Sequence, residues 1–316
     1  MQDILSLPQE ITTITATNLQ KDLCPEAEFG SRHVKWTPQF LSSYHHEDKS
    51  LVQQLADLLQ SELDGICQGD LDGSDMNLEV YQRRCWHSLR YFSIYYEILP
   101  SSLFIQDVQK DGRTAIAGGG FSDIWRGITT SNQFVCIKVL RLTLEQFEEE
   151  REKIRKRFST EALVWRQLRH PNILPLLGVN DQLFEPSFCL ISPWMENRDI
   201  ITYLKRNETH NRHDVFSEVA AGLSYLHSRA PPFVHGDIRG GNVLVTADSK
   251  CVLADFGLSV AYSESQIWSK TTMTNEKGTL RWMAPEILNP DESDNPALRR
   301  PSADVYAFGS TVVEVI

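Results

Sequence analysis

The stretch VHGDIRGGNVLV, residues 234–245, sets His235, Asp237 and Asn242 at short intervals just ahead of an apolar run. A turn through ADSK (247–250) and a return run CVLADFG (251–257) predict a hairpin. That hairpin brings Asn242, at the start of one strand, near Asp255, at the end of the other. Two oxygen donors and a further carboxylate at one sheet end suit a hard cation such as Mg²⁺ and the phosphates it carries. Asp237, in the loop just before, can orient a hydroxyl and accept its proton. Taken singly, each of these residues is also an ordinary turn former.

Two more segments carry chemistry. In IAGGGFSDIWRG (116–127), Gly118, Gly119 and Gly120 let a backbone approach a phosphate with its N–H groups turned toward it. A glycine turn between two strands explains the triplet nearly as well. A dinucleotide fingerprint does not fit, because a strand and not a helix follows. In FVCIKVL (134–140), strand alternation puts Phe134, Cys136 and Lys138 on one face and Val135, Ile137 and Val139 on the other. Both faces read as apolar apart from the lysine, which needs an anionic partner or a route to the edge. The next helix offers one. Ile154, Phe158, Trp165 and Leu168 form an apolar stripe, and Glu161 falls in its gap, so this carboxylate points inward.

The elements that position these residues are legible in outline. Residues 50–67 carry Leu51, Leu55, Leu58 and Leu59 at helical spacing, and 77–99 read as an aromatic-rich helix closed by Pro100. From about residue 103 the pattern changes to short strands split by glycine. The charge run 148–157 reads as a solvated helix face, and HDVFSEVAAGLSYLHS (213–228) carries Val215, Val219, Leu223 and Leu226 on one core stripe. The order implies α+β, with a sheet-rich half and a helical half.

Composition narrows the classes. The chain has 316 residues, and its net charge of −11 argues against nucleic acid or an anionic membrane as partner. The six cysteines are scattered, which suggests reduced thiols in the cytoplasm. No run of apolar residues is long enough to span a membrane.

In order and spacing, these segments resemble the eukaryotic protein-kinase family over about residues 104–316, the set of motifs being the family's own. The resemblance implies a bilobal fold with a small β-rich lobe and a helical lobe, preceded by an extension over 1–103 that is mostly helical from about 50. It implies that Ala117, Gly118, Gly119, Gly120 and Phe121 belong to the phosphate-covering loop. Ile124, Cys136, Met195 and Leu244 would line the adenine pocket, with Ser192 as gatekeeper in the hinge LISPWMEN (190–197). Lys138 would hold the ATP phosphates and pair with Glu161. Asp237 would be the base, and Asn242 and Asp255 the Mg²⁺ ligands, with Phe256 and Gly257 completing the DFG. MAPE (283–286) would close the activation segment, and Asp304 would support the catalytic loop.

Arg239 stands where serine/threonine members carry a lysine that contacts the transferred phosphate; tyrosine members place an arginine where Gly241 stands. Thr279 fits the former and LRWMAPE (280–286) the tyrosine-kinase-like group. The expected activity is therefore transfer of the ATP γ-phosphate to Ser/Thr hydroxyls of a protein substrate. The other reading is an inert scaffold or fragment of the same fold. Lys138, Glu161, Asp237, Asn242 and Asp255 discriminate the two, and all five are present. The family's glycine-loop pattern is altered at Ala117 and Ser122. Gly236 replaces the arginine that grips a phosphorylated activation loop, implying a loop without that brake. The chain stops at Ile316, inside the helix beginning near Asp304, so the family's later helices, on the order of 60 residues, and the arginine partner of Glu286 are expected to be missing and apolar surface exposed. The N-terminal helices are compatible with a docking segment or with a packed extension.

Overall fold

The computed structural model describes residues 49–68, 76–118, 122–140, 148–229, 232–255, 260–261, 280–288 and 301–316. Gly119, Gly120, Phe121, Phe256, Gly257 and Thr279 lie outside the described residues, as do residues 1–48. The chain divides into two compact units, Met1–Leu103 and Phe104–Ile316.

In the first unit, α1 (Lys49–Gln68) and α2 (Met76–Tyr96) pack on each other. The buried stripe of α1 is Val52, Ala56, Leu59, Gln60 and Leu63, facing Tyr81, Cys85, Leu89 and Phe92 of α2. Leu51, Leu55 and Leu58 are only half-buried, so the packed stripe is rotated from the leucine pattern. Small Ala56 lets the helices approach where a leucine would hold them apart. α2 ends three residues before the expected Leu99. Glu97 turns left-handed at φ 56°, and the Ser93 hydroxyl donates to Ile98 O at 2.8 Å. Pro100 also disfavours helical backbone at the residue before it. Asp57 ties the exit down by accepting from the Ser101 N–H at 2.6 Å.

The second unit begins with a six-stranded antiparallel sheet. Its strands are β1 (Val108–Lys110), β2 (Ala117–Gly118), β3 (Ser122–Thr129), β4 (Phe134–Leu140), β5 (Gly178–Phe184) and β6 (Ser187–Pro193). The order is β1-β3-β4-β6-β5, with β2 paired to β3. The two faces of β4 are unequal. Val135, Ile137 and Val139 are sealed in a core with Val108, Cys189 and Ile191, onto which Trp125 and Phe184 pack. On the other face Phe134 is exposed, and Cys136 and Lys138 are half-buried. A polar tip is tolerated only there. Gly127 of β3 has no room for a side chain, since a Cβ would lie 2.6 Å from Ile137 Cδ1.

Helix α3 (Glu148–Arg166) follows β4, with Phe158, Ala162, Leu163 and Trp165 buried and Leu168 buried just beyond it. The side chain of Ile154 lies outside the described residues. Two helices follow the sheet, each N-capped by a side chain. Asp199 accepts from Thr202 N ahead of α4 (Ile200–Leu204), and Asn211 from His213 N ahead of α5 (Arg212–His227). The α5 stripe Val215, Val219, Leu223 and Leu226 is buried as expected. It meets the hairpin of β8 (Val243–Val245) and β9 (Cys251–Leu253), registered Val243↔Leu253. Short β7 (Phe233–Val234) pairs with β10 (Val260–Ala261). The last helices are α6 (Pro285–Leu288) and α7 (Pro301–Val315). On α7, Ala303, Asp304, Ala307, Thr311 and Val315 are buried, whereas Val305, Tyr306 and Val313 are exposed.

Candidate active site

Lys138 is the first centre. β-sheet register places it between Ile124 of β3 and Leu190 of β6. Its Nζ donates to Glu161 Oε1 at 3.2 Å and to Asp255 Oδ1 at 2.6 Å. The inward glutamate of α3 and the inward lysine of β4 thus meet within salt-bridge distance. Burial would push the Lys138 ammonium down, but the two carboxylates outweigh it and hold the pKa above its ordinary value. Lys138 in turn holds the Asp255 carboxyl below its ordinary range. Asp255 has left-handed backbone, φ 63°, uncommon for a residue with a side chain and favoured at functional sites.

Asp237 is the second centre, in the loop between β7 and a tight turn at Gly240–Asn242. Asn242 Nδ2 donates to Asp237 Oδ2 at 2.7 Å and to the Asp237 carbonyl at 2.8 Å. Arg239 Nε lies 3.4 Å from the same Oδ2. The other oxygen, Oδ1, is buried and has no hydrogen-bond partner among the described residues. Desolvation raises the Asp237 pKa, against the pull of Arg239 and Asn242. The two carboxyls of the site are therefore pushed in opposite directions, the pattern that separates a proton acceptor from a fixed anion.

The loop is fastened from beneath. Asp304, at the start of α7 and 1% exposed, accepts from His235 N and Gly236 N at 2.8 Å each. Its carboxylate also meets His227 Nε2 at 2.9 Å. His235 is wholly buried, its Nε2 lies 3.0 Å from Ala254 O, and burial keeps its pKa low. Since Ala254 N donates to Asn242 O at 2.9 Å, the Asp237 loop and the Asp255 strand end form one bonded unit. Gly236 adopts φ 80°, where a side chain would add strain.

The remaining predicted residues occupy these same elements. Ala117 and Gly118 are exposed on β2, and Ile124 is half-buried opposite Lys138. Cys136 is paired across the sheet with buried Ser192, and burial pushes its thiol up to about 11, so it stays protonated. Met195 and Leu244 are half-buried, on the segment after β6 and on β8. Glu286 is exposed on α6. Sequence reasoning missed Gly240, whose N–H donates to Glu314 at 2.8 Å, 74 residues away. It carried no signal beyond being a glycine. Among the described residues no cluster of three or more His, Cys, Asp and Glu could hold a metal by itself, and no helix is long and apolar enough to cross a membrane.

Comparison with known proteins agrees with this geometry. The chain is 29% identical over 210 residues to the serine/threonine-protein kinase STY46 of Arabidopsis thaliana, covering 64% of this chain and 32% of that protein. It is 31% identical over 207 residues to the Arabidopsis serine/threonine-protein kinase CTR1, covering 63% of this chain and 23% of that one. It is likewise 31% identical over 210 residues to receptor-interacting serine/threonine-protein kinase 3 of Rattus norvegicus, covering 64% of this chain and 40% of the relative. The chain thus spans less than half the length of each. The family model described as protein tyrosine and serine/threonine kinase matches residues 112–316. With the fold and the match in hand, the chain belongs to the protein-kinase family.

Proposed function

We propose that the Phe104–Ile316 unit is an ATP- and Mg²⁺-dependent protein serine/threonine kinase with Asp237 as its base. One observation carries this reading: a buried carboxylate oxygen, Asp237 Oδ1, without a partner among the described residues, on a side chain whose other oxygen is held by Asn242. An unpaired buried acceptor is costly, and a substrate hydroxyl would satisfy it. Asp237 would orient that hydroxyl and take its proton at Oδ1. Arg239, beside Oδ2, would face the charge on the transferred group. Lys138, steadied by Glu161, would hold the phosphates.

The donor set fits Mg²⁺. Both N–H groups of the Asn242 amide are spent on Asp237, which leaves its Oδ1 for a cation, and Asp255 supplies a half-exposed carboxylate. Two protein oxygens are the usual complement where phosphates provide the rest. The ion would neutralise charge on the phosphates. The serine/threonine assignment rests on Arg239 and on the likeness to relatives named as serine/threonine-protein kinases. The reduced thiols of Cys136, Cys189 and Cys251 support the cytoplasm as its compartment.

The test is transfer of labelled γ-phosphate to a generic protein substrate, with and without Mg²⁺, followed by phosphoamino-acid analysis. Phosphoserine or phosphothreonine formed only with Mg²⁺ is expected. No incorporation, or phosphotyrosine alone, overturns the reading. Two further outcomes are expected. Asp237 must be ionised to accept a proton and its pKa is raised, so kcat/KM should fall on acidification at a pH above the ordinary aspartate range. An acid limb centred at or below that range would remove Asp237 as the titrating base. Ser192 is small and buried beside Cys136, so ATP-competitive inhibitors with a bulky group there should bind. Ser192→Phe should weaken them tenfold or more; unchanged affinity would show the hinge alignment to be wrong.

A further inference from the structure

Asp304 is one of two carboxylates that α7 turns toward the catalytic loop. The other is Glu314, ten residues along the same helix and about 15 Å further on. Its Oε2 accepts from the Gly240 N–H at 2.8 Å. Between the two, the Thr311 hydroxyl lies 3.4 Å from the Ile238 carbonyl. The loop from His235 to Gly240 is therefore laid along one helix, fastened at both ends by carboxylates to backbone N–H groups. The two residues assigned to chemistry, Asp237 and Arg239, lie between the fastenings.

The second fastening acts on a particular peptide unit, the one joining Arg239 to Gly240. Its N–H goes to Glu314, and its carbonyl accepts from Asn242 N at 2.9 Å. Asn242 is the residue whose side-chain amide holds Asp237 Oδ2 at 2.7 Å. A path of three hydrogen bonds thus runs from Glu314 through the 239–240 peptide and Asn242 to the base. The site is closely fitted. A Cβ on Gly240 would lie 2.5 Å from Ile201 Cδ1 and 2.9 Å from Glu314 Oε2, so any side chain there would force Ile201 of α4 or this carboxylate to shift. At the adjacent Gly241 no atom of the described residues beyond its chain neighbours lies within 4 Å of such a Cβ, so the crowding belongs to Gly240 and not to the glycine pair.

We infer that Glu314 is a positioning residue for phosphoryl transfer. It fixes the peptide that carries Arg239 and, through Asn242, the orientation of Asp237. It touches neither nucleotide nor hydroxyl, so its loss should appear in kcat and not in ATP binding. The inference rests on the proposed kinase activity.

The experiment compares the full chain with E314Q and E314M in the phosphate-transfer assay, with ATP affinity measured separately. Glutamine keeps an acceptor for the Gly240 N–H; methionine keeps length and bulk but provides none. E314M should lower kcat tenfold or more with the ATP Kd within twofold, and E314Q should retain kcat within threefold. Equal kcat in E314M and wild type overturns the inference, as does an equal loss in both variants. If E314M does not fold, amide exchange in the wild-type chain decides the matter. A Gly240 N–H that is protected in wild type and stays protected in E314Q, which keeps the acceptor, supports the fastening, and exchange at the rate of an exposed amide in wild type, or loss of protection in E314Q, overturns it. Absence of Mg²⁺-dependent transfer in the wild-type chain would instead remove the kinase reading, and with it this role.

Discussion

Asp237→Asn is expected to lower kcat by about 10²- to 10⁴-fold while leaving ATP affinity within about threefold. Asparagine is nearly isosteric, so the loop keeps its shape. It cannot accept a proton at Oδ1, the buried atom left unpaired among the described residues. In the proposed kinase, nucleotide binding would draw on Lys138 and Asp255, which the substitution leaves alone. Measured kcat and a separate ATP titration check the two halves. The result also bears on the scaffold reading, since a chain that binds ATP but transfers nothing would be equally unproductive with either residue at this position. Transfer by the Asp237→Asn variant at the wild-type rate would take the base away from this position.

The second large effect concerns stability. Asp304→Ala should cost about 3–5 kcal/mol, because it removes a buried carboxylate and leaves two backbone N–H groups, at His235 and Gly236, without an acceptor. For a unit of this size that is a fall in Tm of roughly 6–20 °C. Asp304→Asn should cost less, since its carbonyl still serves one of the two donors. Thermal or denaturant unfolding of both variants decides. Equal stability of Asp304→Ala and wild type would show that the fastening is not energetically important, whatever its role in activity.

The site was more legible than the fold around it. Lys138 and Glu161 could be paired in advance because each is a charge interrupting an apolar period, and burial makes such charges find each other. Asn242 and Asp255 could be brought together because a short hairpin fixes which residues lie at its open end. What escaped notice depends on contacts distant in sequence. Nothing local distinguishes Glu314 from a solvated helix residue, and its partner is a backbone N–H that has no residue type to recognise. The rotated stripe of α1 escaped for a related reason. Leucine spacing marks what could be buried, but the small Ala56 and the polar Gln60 occupy the contact, and only the partner helix reveals that. The unequal faces of β4 depend likewise on which neighbours cover each side.

The Asp304 clamp has a consequence in time. His235 and Asp304 are 69 residues apart in the chain. At a synthesis rate of about 5–20 residues per second, roughly 3–14 s separate the appearance of the catalytic loop from that of the carboxylate that fastens it. During that interval the loop has its full complement of chemical groups and no frame. Such a distant pairing must also meet its loop-closure entropy before it gains anything, which places it late in folding. A chain emerging from the ribosome would therefore acquire its sheet and its lysine–glutamate pair first and its framed loop only after α7 has docked, so that the proposed kinase would be silent toward its neighbours while half-made.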